Sequence, residues 1–199
     1  MSNKARIAVL VSGGGTNLQA LIDAQKSGII KSGCIELVIS NKPEAYALER
    51  AKINGIKTAV IDKKGNPNFE DEIIAMLDDE NIDIIVLAGF MCILSQKFTQ
   101  HFADRILNVH PSLIPSFCGE GFYGLRVHEA ALNYGVKVTG ATVHFVNEIP
   151  DGGIIILQKA VEIKDGDTPE TLQKRVMEEA EWKILPEATE LVCSSILKK

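Results

Sequence analysis

The chain lacks any long apolar run, any closely spaced cysteine pair and any excess of positive charge. No apolar stretch approaches the roughly eighteen residues of a membrane-spanning helix. Residues 1–6 lead directly into an apolar strand pattern rather than into a secretory signal. We therefore expect a cytoplasmic protein with no membrane segment.

The cysteines and histidines also exclude classes of site. Four cysteines form no C-x-x-C pair, which argues against a disulfide framework and against a zinc knuckle. Four histidines show no H-x-x-x-H spacing, so we expect no metal site. The formal net charge of −5 argues against nucleic-acid binding. If the protein binds a phosphate, the binding groups must therefore come from a local cluster rather than from an overall positive charge.

The order of the predicted elements indicates an α/β protein. With 199 residues, 46% of them apolar, the chain can form one domain over residues 1–199. Predicted strands are residues 6–11, 35–40, 58–61, 82–88, 106–109, 138–146 and 154–163, and predicted helices are residues 18–27, 45–54, 68–78, 128–133 and 169–198. The alternating first half predicts a mainly parallel, twisted sheet with helices on both faces, and the later strands are expected to be antiparallel. Ligand sites are expected beyond the carboxyl ends of the parallel strands.

The first strand ends in a glycine-rich loop that begins a helix. Gly13, Gly14 and Gly15 allow a tight turn, and N–H groups at a helix start favour a phosphate. A dinucleotide fingerprint does not fit, because Leu18 stands where its third glycine belongs, and no Gly-Lys-Ser/Thr of a P-loop follows. The loop therefore predicts a monophosphate site, with a glycine turn that binds nothing as the alternative.

Asn108 and His110 are the strongest candidates for catalysis. Residues two apart in a strand share a face, so both project from a strand end that Pro111 terminates. Such a pair suits acyl transfer, since the amide can stabilise an oxyanion and the ring can move a proton. Asp151, in the turn at residues 147–153, is expected to orient the ring and to raise the pKa of His110.

The sequence also predicts the surroundings of the other three histidines and of one glycine-rich loop. His101 and His128 occupy polar, helix-like patterns and are predicted at the surface. His144 lies in an apolar strand, where a core histidine and an active-site histidine are equally compatible with the pattern. Residues 117–124 are rich in glycine and aromatics, which predicts a mobile loop beside the catalytic strand.

Four ordered motifs resemble those of the folate-dependent formyltransferases. They are residues 7–17, 86–91, 108–115 and 140–146, so the resemblance extends through nearly the whole chain. It is closest to the family members that formylate 5'-phosphoribosylglycinamide in de novo purine biosynthesis. It implies a Rossmann-like formyltransferase fold, 10-formyltetrahydrofolate as co-substrate and no metal, and it leaves a homodimer open.

The resemblance assigns binding roles by position. The ribonucleotide substrate would be bound by Gly13, Gly14, Gly15, Thr16, Asn17 and Glu181. The folate co-substrate would lie against Met91, Cys92, Ile93, Leu94 and Asn108. Glu181 would meet the substrate's amino end, although Glu178 competes with it for this role. Cys92 and Asn66 depart from the family pattern, because relatives carry arginine at or near these positions.

The implied reaction is direct attack of the substrate amine on the formyl carbon. Asn108 and protonated His110 would stabilise the oxygen of the tetrahedral intermediate, and Asp151 would accept or relay the amine proton. A formyltetrahydrofolate hydrolase is one alternative, although relatives of that kind carry a preceding regulatory domain. A non-catalytic nucleotide-binding module is the other. It would explain the glycine loop but not Asn108, His110 and Asp151 together.

Overall fold

The computed structural model describes residues 4–198. Its strands are β1 Ala5–Val11, β2 Gly33–Ser40, β3 Lys57–Val60, β4 Ile84–Leu87, β5 Ile106–His110, β6 Val138–Phe145 and β7 Ile155–Glu162. Its helices are α1 Thr16–Ser27, α2 Tyr46–Ile53, α3 Phe69–Asp79, α4 Gln96–His101, α5 Leu125–Tyr134, α6 Pro169–Val176 and α7 Trp182–Ile196, with a π-helical segment at Met177–Glu181 between the last two. Within this described part, no helix is both long enough and apolar enough to cross a membrane.

The seven strands form one sheet in the order β3-β2-β1-β4-β5-β6-β7. The first five strands pair in parallel, whereas β6 and β7 are antiparallel to their neighbours. The predicted parallel sheet with later antiparallel strands is therefore confirmed. Strand order reverses between β1 and β4, the position at which open α/β sheets bind ligands beyond the carboxyl ends of their strands.

Helices cover both faces of the sheet because the central strands are apolar on both sides. In β1, Ile7, Val9 and Val11 face one apolar cluster and Ala8 and Leu10 face the other, as the two-residue period of a strand requires. The first cluster packs with α1, α2, α6 and α7, and the second with α3 and α4. The sheet is thereby fixed between two layers, and its carboxyl edge carries the loops of the candidate site.

Two local features differ from the sequence prediction. Helix α4, which was not predicted, has six residues, too few to show a helical period. Ser95 caps its amino end, with a side chain that accepts a hydrogen bond from the N–H of Phe98. The single helix predicted over 169–198 is instead divided by the π-helical segment and ends at Ile196.

The bond Ile114–Pro115, whose isomer the sequence left open, is cis.

Candidate active site

Asn108 and His110 occupy the end of β5, as predicted. The antiparallel neighbour β6 places His144 directly opposite Asn108. The rings of His110 and His144 are almost fully buried, with residue exposures of 4% and 1%. The pairing of β5 with β6 therefore brings a second histidine into the site.

Asp151 reaches this pair from the turn between β6 and β7. Its backbone has a φ of +56°, a left-handed conformation that aspartate tolerates better than most residues. The turn depends on Gly153, where a Cβ atom would lie only 1.7 Å from the carbonyl oxygen of Phe145. As a result, Asp151 Oδ2 lies 3.4 Å from His110 Nδ1, and Asp151 Oδ1 lies 3.5 Å from His144 Nε2.

Each histidine uses its other ring nitrogen to bind the backbone. His110 Nε2 lies 2.9 Å from the carbonyl oxygen of Phe117, and His144 Nδ1 lies 2.8 Å from that of Phe145. A carbonyl oxygen can only accept, so these nitrogens carry the protons. For His110, the nitrogen left facing Asp151 is Nδ1.

The Asn108 amide is held by His144. Asn108 Nδ2 lies 3.3 Å from His144 Nε2 and donates to it in the tautomer that carries its proton on Nδ1. An amide nitrogen has two N–H groups, and the second one donates to no other residue among 4–198. His144 thus orients a donor that remains available for a ligand oxygen.

The charges of His110 and Asp151 follow from burial and mutual contact. Burial has the largest effect on His110 and lowers its pKa, although Asp151 and the Phe117 carbonyl act in the opposite direction. The expected raised pKa of His110 is therefore wrong in its net direction. Burial would raise the pKa of Asp151, but the two histidines and the N–H of Gly119 outweigh it and the pKa is lowered. At neutral pH, a neutral His110 faces an ionised Asp151.

The glycine loop between β1 and α1 leaves its N–H groups available. Its carbonyl oxygens accept bonds within the protein: Gly13 from Ala47 N at 3.0 Å, Gly14 from Arg50 Nε at 2.8 Å and Gly15 from Gln19 N at 2.9 Å. No backbone N–H of residues 13–17 donates to another residue in the part of the chain that the structure describes. Unpaired N–H groups at a helix start are what an anion such as phosphate requires.

Glu181 meets this loop, whereas Glu178 does not. Asn17 Nδ2 donates to Glu181 Oε2 at 2.8 Å, and Glu181 is only 7% exposed. Burial raises the pKa of Glu181, opposed by the bond from Asn17. Glu178 points to solvent and pairs with Lys174 at 3.9 Å. The π-helical segment at Met177–Glu181 ends at the residue that turns inward, and such segments are frequent at functional sites.

The segment proposed to bind folate follows β4, across the switch point from the glycine loop. Its backbone is fixed by Ser12, whose Oγ accepts from Met91 N at 2.8 Å. Met91 and Ile93 are exposed, but the Leu94 side chain is buried among the apolar residues of the second face. Asn41 Nδ2 contacts Cys92 Sγ at 3.1 Å, and burial raises the pKa of that thiol. The side chains available to a ligand are therefore Met91, Cys92 and Ile93.

The sequence prediction is wrong for His128, and it missed the backbone contacts of the loop after β5. His101 is exposed, as expected, but His128 is completely buried in α5 with both ring nitrogens unpartnered. Burial lowers the pKa of His128 to about 4.

The loop after β5 also contributes backbone contacts, through Phe117 to His110 and through Gly119 N to Asp151 Oδ2 at 2.9 Å. Only the position of this loop beside β5 was visible in the sequence.

The described residues offer no evident metal site. Across residues 4–198, histidine, cysteine and acidic side chains do not gather in groups of three or more that could hold a metal ion. The chemistry that the site can perform with its own residues is proton transfer between Asp151 and His110, beside one free amide donor.

Comparison with known proteins finds matches over nearly the whole chain. The family model described as "Formyl transferase" matches residues 5–189. The chain is 50% identical over 198 residues to the human "Trifunctional purine biosynthetic protein adenosine-3", covering 98% of this chain and 19% of that protein. It therefore spans about a fifth of the length of the trifunctional relatives.

Shorter relatives match along most of their own length. Identity is 43% over 173 residues to "Phosphoribosylglycinamide formyltransferase" of Escherichia coli (strain K12), covering 85% of this chain and 79% of the relative. Among solved structures, glycinamide ribonucleotide transformylase 1 from Symbiobacterium toebii superposes with a TM-score of 0.90 at 41% identity, covering 98% of this chain and 90% of that one.

Proposed function

The chain belongs to the formyl transferase family, and from this premise we propose that it transfers the formyl group of 10-formyltetrahydrofolate to the amine of 5'-phosphoribosylglycinamide in purine biosynthesis. The proposal rests mainly on one observation. Asn108, His110 and Asp151 lie together at the edge of the sheet where the unpaired backbone N–H groups of residues 13–17 also lie. The proposal includes a cytoplasmic location, where both small-molecule substrates are dissolved.

The ribonucleotide would bind with its phosphate on the glycine loop. Gly13, Gly14, Gly15, Thr16 and Asn17 supply backbone N–H groups at the start of α1, where the helix dipole also favours an anion. Glu181 would contact the amino end of the same substrate. Its raised pKa reduces the negative charge beside the phosphate, so an acidic residue is tolerated there.

The folate co-substrate would lie on the segment after β4. Met91, Cys92 and Ile93 present side chains there, and Leu94 contributes its backbone because its side chain is buried. Asn108 lies on the neighbouring strand β5, in register with Leu87 of β4. The formyl group would therefore approach the free N–H of the Asn108 amide from the side of the folate segment.

Transfer begins when the amine attacks the formyl carbon. The free N–H of Asn108 donates to the oxygen that becomes negative. Asp151 is ionised and accepts the proton that the amine loses. His110 then receives this proton at Nδ1, which faces Asp151, and its positive charge stabilises the oxyanion. When the tetrahedral intermediate collapses, the bond between the formyl carbon and the folate nitrogen breaks, and the proton passes from His110 through Asp151 to that nitrogen as tetrahydrofolate leaves. No covalent enzyme intermediate is needed, because the amine is itself a good nucleophile.

A formyltetrahydrofolate hydrolase could use the same three groups to activate water, and Glu181 distinguishes the two activities. A hydrolase has no amine substrate to position, so Glu181 matters only for transfer. We expect Glu181→Gln to raise the KM for 5'-phosphoribosylglycinamide about tenfold, as for the loss of one strong hydrogen bond. Steady-state kinetics with both substrates varied would measure this.

Glu178→Gln is the matched control for that experiment. Glu178 is solvent-exposed and forms a surface pair with Lys174, so this change is expected to leave the KM nearly unaltered. Equal effects of the two substitutions, or none from Glu181→Gln, would count against a role of Glu181 at the substrate.

A further inference from the structure

The loop after β5 attaches its backbone to both proton-carrying groups of the site. The Phe117 carbonyl accepts from His110 Nε2 at 2.9 Å, and Gly119 N donates to Asp151 Oδ2 at 2.9 Å. Phe117 holds this position with a φ of +49°, which is uncommon for a residue with a large side chain and costs about 1 kcal/mol or more. A strained residue in contact with a catalytic histidine needs a compensating interaction.

Aromatic packing supplies that interaction. The ring of Phe117 meets Tyr134 edge to face, with centroids 6.0 Å apart, and lies 6.4 Å from the ring of Phe122. Tyr134 lies at the end of α5 and is 79% exposed, so the contact with Phe117 is a large share of the packing of its ring. Such aromatic pairs contribute about 0.5–1.5 kcal/mol each, comparable to the strain.

The Phe117 carbonyl determines which nitrogen of His110 carries the proton. In a neutral ring only one nitrogen is protonated, and two acceptors compete for it: Asp151 at Nδ1 and Phe117 at Nε2. The contact with Phe117 is 2.9 Å long, whereas the contact with Asp151 is 3.4 Å, too long for a good hydrogen bond. The geometry therefore favours the proton on Nε2, against the attraction of the carboxylate.

We propose that Phe117 is a positioning residue whose aromatic anchor and backbone carbonyl hold neutral His110 in the tautomer protonated at Nε2. This inference rests on the proposed function for its chemical meaning. With Nε2 occupied, Nδ1 keeps its lone pair toward Asp151. The proton released by the substrate amine forms an O–H bond on Asp151, and that bond breaks as the N–H bond at His110 Nδ1 forms. Without the aromatic anchor of Phe117, His110 Nδ1 already carries a proton, so it cannot accept the proton from Asp151.

Nitrogen-15 NMR of the histidine rings in the unliganded protein tests the inference directly. The two ring nitrogens have distinct shifts in each tautomer, and the His110 signals are those missing from His110→Ala. At a pH above the pKa of the ring, we expect the wild type to show protonated Nε2 and unprotonated Nδ1. We expect Phe117→Ala to gain the tautomer protonated at Nδ1. Because no substrate is present, this result does not depend on the proposed function.

Two further variants separate positioning from folding. Tyr134→Ala removes the anchor from an exposed position on α5 and is expected to move the tautomer in the same direction, even if Phe117→Ala does not fold. Tyr123→Ala is the control, since Tyr123 is 47% exposed, lies on the same loop and contacts Arg126 rather than the site. It is expected to leave the tautomer unchanged.

Activity gives a second readout. In the anchor variants kcat is expected to fall about tenfold with little change in either KM, because only the proton relay is affected. A wild-type ring protonated at Nδ1, or anchor variants with wild-type nitrogen shifts, would overturn the inference. Loss of formyl transfer in every protein, wild type included, would instead overturn the proposed function while the NMR result stood.

Discussion

Asp151 lies between two histidines whose remaining nitrogens are both bound to backbone carbonyls. Asp151 therefore contacts both rings, and His144 also orients the amide of Asn108. Within this arrangement, His110 Nδ1 and Asp151 Oδ2 face each other at 3.4 Å, so a small approach of the two side chains brings them within reach for proton transfer.

His110→Ala and Asp151→Asn are each expected to lower kcat by about 10²–10³ or more. The first removes the group that holds the proton during the reaction together with its positive charge, and the second removes the base that receives the amine proton. Single-turnover kinetics would measure the chemical step, and circular dichroism would show whether each variant is folded. Turnover close to wild type in either folded variant would contradict the catalytic assignment.

His128 provides a separate prediction about stability and pH. Its pKa is about 4 in the folded protein and 6.5 without burial. As the pH falls from about 6.5 to 4, the unfolded chain gains a proton at this position and the native protein does not, so stability decreases. The full difference corresponds to about 3 kcal/mol.

His128→Phe is expected to remove this part of the pH dependence. The ring nitrogens have no partners among the described residues, so an apolar ring of similar size should not lower stability at neutral pH. Urea unfolding at several pH values would measure the effect, with His101→Gln, an exposed histidine, as the control. Parallel stability curves for wild type and His128→Phe would rule out the assigned cause.

The sequence was informative about these residues where the pattern was local. Asn108 and His110 share a strand face whatever the rest of the fold does. The surface prediction for His128 was wrong because charged neighbours suggested a polar helix face, whereas α5 buries Val127, His128 and Ala131. The net pKa of His110 could not be predicted, since it depends on burial by distant segments.

Among the secondary-structure elements, the glycine loop packs closely against helix α2. A Cβ at Gly15 would lie 2.6 Å from the Cβ of Ala47, and Gly15 has a φ of +73°. Gly14 has open space around its Cβ position and no positive φ. The two glycines therefore serve different purposes, close packing at Gly15 and an open surface at Gly14.

Gly14→Ala is expected to weaken binding of 5'-phosphoribosylglycinamide about tenfold while stability stays near wild type, because the added methyl group projects from the surface that carries the phosphate donors. Gly15→Ala is expected to lower the unfolding free energy by about 1–3 kcal/mol through strain and overlap. Calorimetry with each substrate separately would compare the variants. Equal losses of folate and ribonucleotide binding in Gly14→Ala would argue against a phosphate site.

Strand prediction succeeded because the buried strands are short, continuous apolar runs separated by helical periods. The π-helical segment at Met177–Glu181 was invisible, since the apolar residues on either side continue an ordinary helical pattern. The segment turns Glu181 toward Asn17 while Glu178 faces solvent, which favours Glu181 as the residue proposed to contact the substrate amine.

At the scale of the whole molecule, the strand order accounts for the position of every proposed contact. The glycine loop follows β1, the segment proposed to bind folate follows β4 and the proposed catalytic residues Asn108 and His110 end β5, and these three strands are consecutive neighbours in the sheet. The antiparallel pair β6 and β7 then supplies His144 and the turn that carries Asp151. Two ligands bound along this edge would meet at Asn108.

The fate of the formyl group is the most direct test of the central claim. The purified protein would be incubated with 10-formyltetrahydrofolate, with and without 5'-phosphoribosylglycinamide, while tetrahydrofolate, formate and formylated ribonucleotide are quantified. We expect tetrahydrofolate and formylated product to appear in equal amounts when the ribonucleotide is present, and almost no formate without it. Rapid formate release in the absence of the ribonucleotide would contradict the account and identify a hydrolase.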